Sequence, residues 1–456
     1  MTTLYTAAWG FVGGELQRNV ELLVSDEGVV LAPGVRPATQ TVALGEVALL
    51  PGFVNGHSHA FQRAIRGRTE FLAPGHERDD FWSWREAMYQ AANALDPEQL
   101  YVVSRQAFVE MALAGVTTVG EFHYLQHQPD GTPYDDVSLL AKQVIRAARE
   151  VGLRITLLRV GYERAGFQVA PNPRQRRFID PTVDDYLQRV EALRAAVKGD
   201  PLVSVGFAPH SVRAVSKRWL EGFAAGTQSS HLPVHAHVAE QPGEIAASLS
   251  EHGRRPVELL EQLGLLHERF TAVHAIHLEA TEVTALGRAR ATVCACPSTE
   301  RNLGDGIVRA DELLAAGASV SLGSDSQAHI DLLGEAQMLE GHLRLLRLKR
   351  NVLHPADARQ TLAARLVGSL SFAGARSLGL PEATLATGSP ADFVALDLRH
   401  PSVVGATRVL DAAVMGAASA AVRHVVVAGR QVVRDGQHPL AEEAGTSFTQ
   451  VVSALG

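Results

Sequence analysis

At 456 residues, 46% hydrophobic and 20% charged with a net charge of −7, the chain reads as soluble and globular and too long for one small core. That charge argues against a general nucleic-acid binder, whose footprint is basic, and no apolar stretch reaches the roughly 20 residues of a membrane span. Cys294 and Cys296 are the only cysteines, so no disulfide framework is available, and without a basic, apolar secretory start the sequence points to a reducing cytoplasm.

The chain opens with short strand-like stretches, Thr6–Gly10, Asn19–Ser25 and Gly28–Leu31, separated by glycine and charged turns. Its end has the same texture over Ala391–Asp397, Ala421–Arg430 and Gln431–Gly436. One small β-sandwich domain built from both termini, 1–49 and 386–456, is expected; two separate edge decorations are the alternative.

Over residues 50–385 the pattern changes. Eight apolar runs rich in Val, Ile and Thr occur at Val47–Val54, Val116–Phe122, Arg154–Gly161, Val203–Ala208, Pro233–Val238, Thr271–His277, Ala291–Ala295 and Ala318–Gly323. Helical stretches lie between them, among them Pro97–Ala114, Val137–Val151, Thr182–Val197, Pro242–Leu249 and Arg255–Leu263. Strands alternating with helices in this way predict an α/β fold, a (β/α)8 TIM barrel. A doubly wound open sheet is the alternative, but no glycine-rich dinucleotide fingerprint opens any βα unit. The excursion Ala60–Leu95, carrying Phe81-Trp-Ser-Trp-Arg85, is the kind of long βα loop on which barrels build sites.

The polar residues at the ends of these runs form a pattern. The first run leads into His57-Ser-His59, and residues two apart on a strand share a face. Later runs end in Pro209-His210 with Arg213 beyond, Val234-His-Ala-His-Val-Ala-Glu240, Val273-His-Ala-Ile-His-Leu278 and Gly323-Ser-Asp325. Barrel strands bring such ends to one rim, and nitrogen plus carboxylate donors with an open position suit a catalytic Zn2+ or Fe2+. Each residue also has a plainer reading. His235 and His277 lie on the same strands and could be packed polar groups; His237 is preferred over His235 because Glu240 follows it. Asp325 could cap a helix, Glu240 could be a solvated carboxylate, and Cys294 and Cys296 read as buried small apolar groups.

With Pro51-Gly-Phe-Val-Asn-Gly-His-Ser-His59, His237-Val-Ala-Glu240, His274 and Leu322-Gly-Ser-Asp325 in view, the chain resembles the amidohydrolase superfamily, in its branch of metal-dependent deaminases, over nearly its whole length. The resemblance implies one divalent metal ion per subunit, Zn2+ or Fe2+, held by residues matching His57, His59, His237 and Asp325. It also implies that Glu240, His274 and Asp325 are catalytic. Asp325 would take a proton from water made acidic by the metal, His274 would hold the attacking oxygen, and Glu240 would relay the proton so that ammonia leaves. Some relatives bridge two metals with a carboxylated lysine at the fourth strand; Ala208-Pro-His210 has none, which favours a single ion. A homodimer is implied by the same resemblance.

Substrate choice must come from the rim. Gln62, Arg85, Tyr124, His210 and Arg213 would suit a small molecule with two carboxylates, because arginine grips carboxylate in a bidentate fork. His210 and Arg213 have a spacing that could stack them on one helical face, and either arginine could instead be a surface ion pair. The motifs His57-Ser-His-Ala-Phe-Gln-Arg63, Phe81-Trp-Ser-Trp-Arg-Glu86, Glu121-Phe-His-Tyr124, Pro209-His-Ser-Val-Arg213 and Cys296-Pro-Ser-Thr-Glu-Arg-Asn-Leu-Gly-Asp-Gly306 are similar to those of the N-formimino-L-glutamate deiminases of histidine degradation. By that similarity the five rim residues hold the glutamate part. A deaminase of a cyclic amidine or aminated ring, such as guanine, an adenosine derivative or a triazine, and a non-catalytic metal-binding scaffold are the other readings.

Overall fold

The computed structural model describes residues 2–72, 80–357 and 360–455. Residues 73–79 of the long excursion lie outside the described residues. The amino-terminal strands are β1 (Thr2–Val12), β2 (Glu15–Ser25), β3 (Val30–Leu31) and β4 (Gln40–Pro51). β1 and β2 pair antiparallel with Val12 opposite Glu15, and Gly13 and Gly14, both at positive φ, supply the two-residue turn. After the barrel come β13 (Phe393–Asp397), β14 (Val422–Val427) and β15 (Arg430–Val433). Together they make one seven-stranded mixed sheet in the order β15-β14-β13-β4-β1-β2-β3, so both ends of the chain meet where β4 pairs with β13.

The barrel strands are β5 (Phe53–Ser58), β6 (Val116–His123), β7 (Arg154–Gly161), β8 (Val203–Pro209), β9 (Val234–Val238), β10 (Phe270–His274), β11 (Thr292–Ala295) and β12 (Ser319–Leu322). They form an eight-stranded sheet in sequential order, and their pairings are parallel. The expected first strand is corrected: Val47–Pro51 belongs to β4 of the terminal sheet, and the barrel begins at Phe53. Both segments are fully buried at this point, so one unbroken apolar run serves two sheets.

The helices form where the sequence provides caps. Asp96 accepts from Gln99 N at 2.8 Å and Pro97 opens the helix Pro97–Leu113. The carboxy-terminal helix Ala441–Ala454 packs beside it, tied by Arg105 Nη1 to Glu443 Oε1 at 3.1 Å. Among the described residues no helix is long and apolar enough to cross a membrane.

Two excursions roof the carboxyl ends of the barrel strands. After β5 come a 3-10 turn, Ala60–Ile65, and the helix Phe81–Ala94; after β7 comes a second 3-10 turn, Pro173–Phe178. Helix and second turn are moored together by Asn93 Nδ2 on Arg174 O at 2.9 Å, by Gln175 on Tyr89 at 2.9 Å, and by Arg177 on Ala92 O.

Candidate active site

The site stands where the barrel closes. Between β5 and β12 the wall is joined by one parallel bridge, Ser58 to Asp325. Asp325 N donates to His57 O and His59 N donates to Asp325 O, both at 3.0 Å. Gly323 permits this approach: a Cβ there would lie 2.8 Å from His57 O and 2.9 Å from His57 Cβ. Buried side chains lace the same joint. Asn55 Nδ2 donates to Ser324 Oγ at 2.7 Å, Ser324 Oγ to Gln327 Oε1 at 2.9 Å, and Gln327 Nε2 to Ser58 Oγ at 2.8 Å. Ser58 Oγ in turn donates to Glu121 Oε2 at 2.6 Å. Every group in the chain has a partner, which is what makes a buried polar network rigid.

Four side chains converge at this joint. His57, His59, His237 and Asp325 are all buried, with donor atoms within 4.8 Å of one another. His57 Nε2 and His59 Nε2 are 3.3 and 3.2 Å from Asp325 Oδ1. His59 Nδ1 lies 2.9 Å from Phe122 O and His237 Nδ1 3.2 Å from His210 O. A carbonyl only accepts, so each Nδ1 carries the proton and each Nε2 turns a bare lone pair inward. Burial lowers His57 to about 3 and drives His237 well below the usual imidazole range, so both are neutral. Burial alone would raise Asp325, but the imidazoles around it, His57 and His59 together with the charged His274, hold the carboxyl well below the usual carboxylate range. Neutral imidazoles and a carboxylate facing one another fit a divalent metal ion.

Beside them stands a proton-handling group. His274 ends β10 at φ 67°, and Asp325 has φ 45°; these left-handed conformations cost of order 1–3 kcal/mol each and aim both side chains at the joint. His274 Nδ1 is 3.3 Å from Glu300 Oε1, and its Nε2 is 3.6 Å from Glu240 Oε1 and 3.7 Å from Asp325 Oδ2. Burial opposes charge on His274, but Glu240, Glu300 and Asp325 outweigh it and hold the ring protonated. Burial pushes Glu240 up while His274 pulls it down. Glu244 accepts from the N–H of Ala239 and of Glu240, both at 3.2 Å, which fixes the turn carrying Glu240. Asp305 nearby is pushed up to about 9, by burial first and by Glu240 second, and is neutral at pH 7.

Above the joint opens one cleft lined by His59, Gln62, Arg85, Tyr89, Tyr124, Tyr162, His210, Arg213, His237, Glu240 and Asp325. Gln62 Nε2 donates to Tyr124 Oη at 2.9 Å, and the His210 ring stacks on His237 with centroids 4.8 Å apart. Arg85 lies over the Trp82 and Tyr89 rings at 4.5 and 5.5 Å. Its Nε and Nη1, and Nη1 of Arg213, are sealed from solvent with no hydrogen-bond partner among the described residues. Neither arginine is therefore a surface ion pair. Arg213 is not stacked on a helix with His210, since residues 210–213 form a turn and the next helix begins at Lys217.

Residues 48–432 match the amidohydrolase family. The chain is 40% identical to the formimidoylglutamate deiminase of Pseudomonas aeruginosa over 96% of both chains. The chain belongs to the amidohydrolase family. This amidohydrolase is also 27% identical to the 5-methylthioadenosine/S-adenosylhomocysteine deaminase of Syntrophobacter fumaroxidans, over 87% of this chain and 83% of that one. The crystal structure of an amidohydrolase from Brucella melitensis superposes on it with a TM-score of 0.91 at 35% identity, covering 99% of each chain. A zinc-bound adenosine deaminase from Xanthomonas campestris, 23% identical over 99% of this chain and 98% of that one, shares the fold at a TM-score of 0.84.

Every residue that the sequence marked for this amidohydrolase's site lies at the joint or in the cleft above it. His235 turns aside, with Nε2 2.7 Å from Ser377 O, and Cys294 and Cys296 are free, buried and packed with Val273. His274, Cys296 and Glu300 also lie within 4.8 Å of one another, but burial holds the Cys296 thiol well above its usual range, and thiolate is what a metal takes. Sequence reasoning missed Glu300, Glu244, Tyr89, Tyr162 and Gln175. Glu300 was in view within Cys296-Pro-Ser-Thr-Glu300, five residues past the strand end at Ala295, and its acidity in an otherwise buried helix start was the available signal.

Proposed function

We infer that this amidohydrolase hydrolyses N-formimino-L-glutamate to N-formyl-L-glutamate and ammonia. The observation that carries the reading is the meeting, in one cleft, of a His/Asp cluster suited to a metal with two guanidinium groups whose sealed N–H groups lack partners. Sealed guanidinium N–H groups without acceptors are costly, so two arginines that carry them suit a ligand bearing carboxylates. The name of the Pseudomonas relative supplies such a molecule. Aromatic rings also line the cleft and would flank a purine, but a neutral purine offers the two guanidinium groups acceptors without the negative charge that a dicarboxylate brings.

His57, His59, His237 and Asp325 would hold one divalent ion per subunit, Zn2+ in this reading, with Fe2+ as the alternative. When bound, such an ion supplies Lewis acidity that lets water give up a proton near neutral pH. Asp325 takes that proton. His274, 3.7 Å from Asp325 Oδ2, steadies the attacking oxygen, with Glu300 fixing its ring from behind. Glu240, 3.6 Å from His274 Nε2, passes a proton to the substrate nitrogen as oxygen adds to the C=N carbon; the added hydroxyl's remaining proton then follows to that nitrogen as the C–N bond breaks and the carbonyl forms, so ammonia leaves instead of an amide anion. Gln62, Arg85, Tyr124, His210 and Arg213 hold the glutamate part. The proposal includes a cytoplasmic homodimer and a division of the chain into 1–49 with 386–456 and 50–385; the two separate sheets favour such a division, with its first boundary moved past Pro51, where β4 ends.

A coupled ammonia assay on the purified protein tests the reading. Ammonia release from formiminoglutamate, lost with chelator and restored by zinc, is expected; turnover of guanine or S-adenosylhomocysteine in its place overturns it. Glu240→Gln should retain bound metal while kcat falls by about 10^2- to 10^4-fold, and an unchanged kcat removes Glu240 from the mechanism.

A further inference from the structure

Gln175 does not line the cleft but stands behind two residues that do. It is fully buried in the 3-10 turn Pro173–Phe178. Its Oε1 accepts from Asn172 N at 3.3 Å, which settles which end of the amide faces which way. Its Nε2 then donates to Tyr89 Oη at 2.9 Å and to Tyr162 Oη at 3.0 Å. Both phenol oxygens are thus occupied as acceptors, and both rings line the cleft beside Arg85 and Arg213. Because both hydroxyls accept from the same Nε2 they stand on either side of it, and at most one of their two protons could be spent between them. At least one phenolic O–H is left to point into the cleft.

We propose that Gln175 is a positioning residue that turns the Tyr89–Tyr162 pair into a hydrogen-bond donor, so that this end of the cleft presents donors only and selects a carboxylate over a carboxamide. A carboxylate accepts from the guanidinium groups and the phenol alike. A carboxamide brings its own N–H groups against those donors and leaves some of them unpaired, the costly outcome in a buried site. The inference rests on the functional reading above and adds to it what rejects the amide.

The test is a double-mutant cycle between Gln175→Leu and Tyr89→Phe/Tyr162→Phe, read on formiminoglutamate and its side-chain carboxamide analogue. Gln175→Leu should raise KM for the dicarboxylate by about tenfold or more with kcat and metal content little changed, and shrink its preference over the amide. In the double-phenylalanine background it should do nothing further, because the hydroxyls it directs are gone. An additive effect, or a loss in kcat with KM unchanged, overturns the proposal. If Gln175→Leu does not fold, Tyr89→Phe/Tyr162→Phe alone must raise KM and erode the preference, and failure to do so overturns it equally. Wild-type protein that releases no ammonia from formiminoglutamate sinks the functional reading instead, so the two failures are distinct.

Discussion

The joint between β5 and β12 and the roof above it solve opposite problems. At the joint the network from Asn55 through Ser324, Gln327 and Ser58 to Glu121 is paired in the free protein, at distances between 2.6 and 2.9 Å. In the cleft above it, Arg85 of the roof helix and Arg213 of the turn after β8 keep sealed N–H groups with no partner among the described residues. That network is finished before any substrate arrives; the cleft above it is completed by one. Reaction class therefore resides in strand ends that backbone hydrogen bonds lock, and substrate choice in excursions that a ligand must satisfy.

That contrast can be broken from either side. Asp325→Ala strikes the joint and should abolish metal binding and turnover together; a variant that keeps its metal by elemental analysis would contradict the cluster. Arg213→Met strikes only the cleft above the joint. It should raise KM roughly 30- to 1,000-fold, as expected for a charge-assisted contact in a buried site, with bound metal unchanged. Glu300→Gln touches the joint at one remove, through the 3.3 Å contact to His274 Nδ1, and should lower kcat about 10- to 100-fold with KM nearly constant. The smallest effect is on stability. Burial pushes Glu335 up to about 8 from an ordinary 4.5, so the folded chain keeps a proton that the unfolded chain has released. Its contribution is therefore full below pH 4.5 and is lost as pH rises through about 8. Glu335→Gln should flatten the fall of Tm over that window, as read by thermal melts across pH.

Much of the joint was legible in the chain because its ligands sit at strand ends, where a single apolar run announces a polar residue on the rim. His57, His59, His237, Glu240, His274 and Asp325 are all found this way. The run Val47–Val54 misled because β4 and β5 are both buried and only Pro51-Gly52 divides them. The roof was less legible. Arg85 and Arg213 stood out as cations near a presumed rim, yet nothing local reveals that their N–H groups are sealed. Gln175 reads as one more residue of a polar turn, and its role depends on Tyr89 and Tyr162, which lie 86 and 13 residues away in sequence.

A single bridge, Ser58 to Asp325, completes the ring of eight strands, and the metal-type cluster straddles it. Such a hoop is only as tight as its clasp. Whatever cation occupies the clasp binds the closed form alone, so its concentration sets how firmly the whole cylinder holds. An ion present at 100 times its dissociation constant adds about 2.7 kcal/mol to unfolding, and cells short of that ion would carry a looser vessel as well as a slower catalyst.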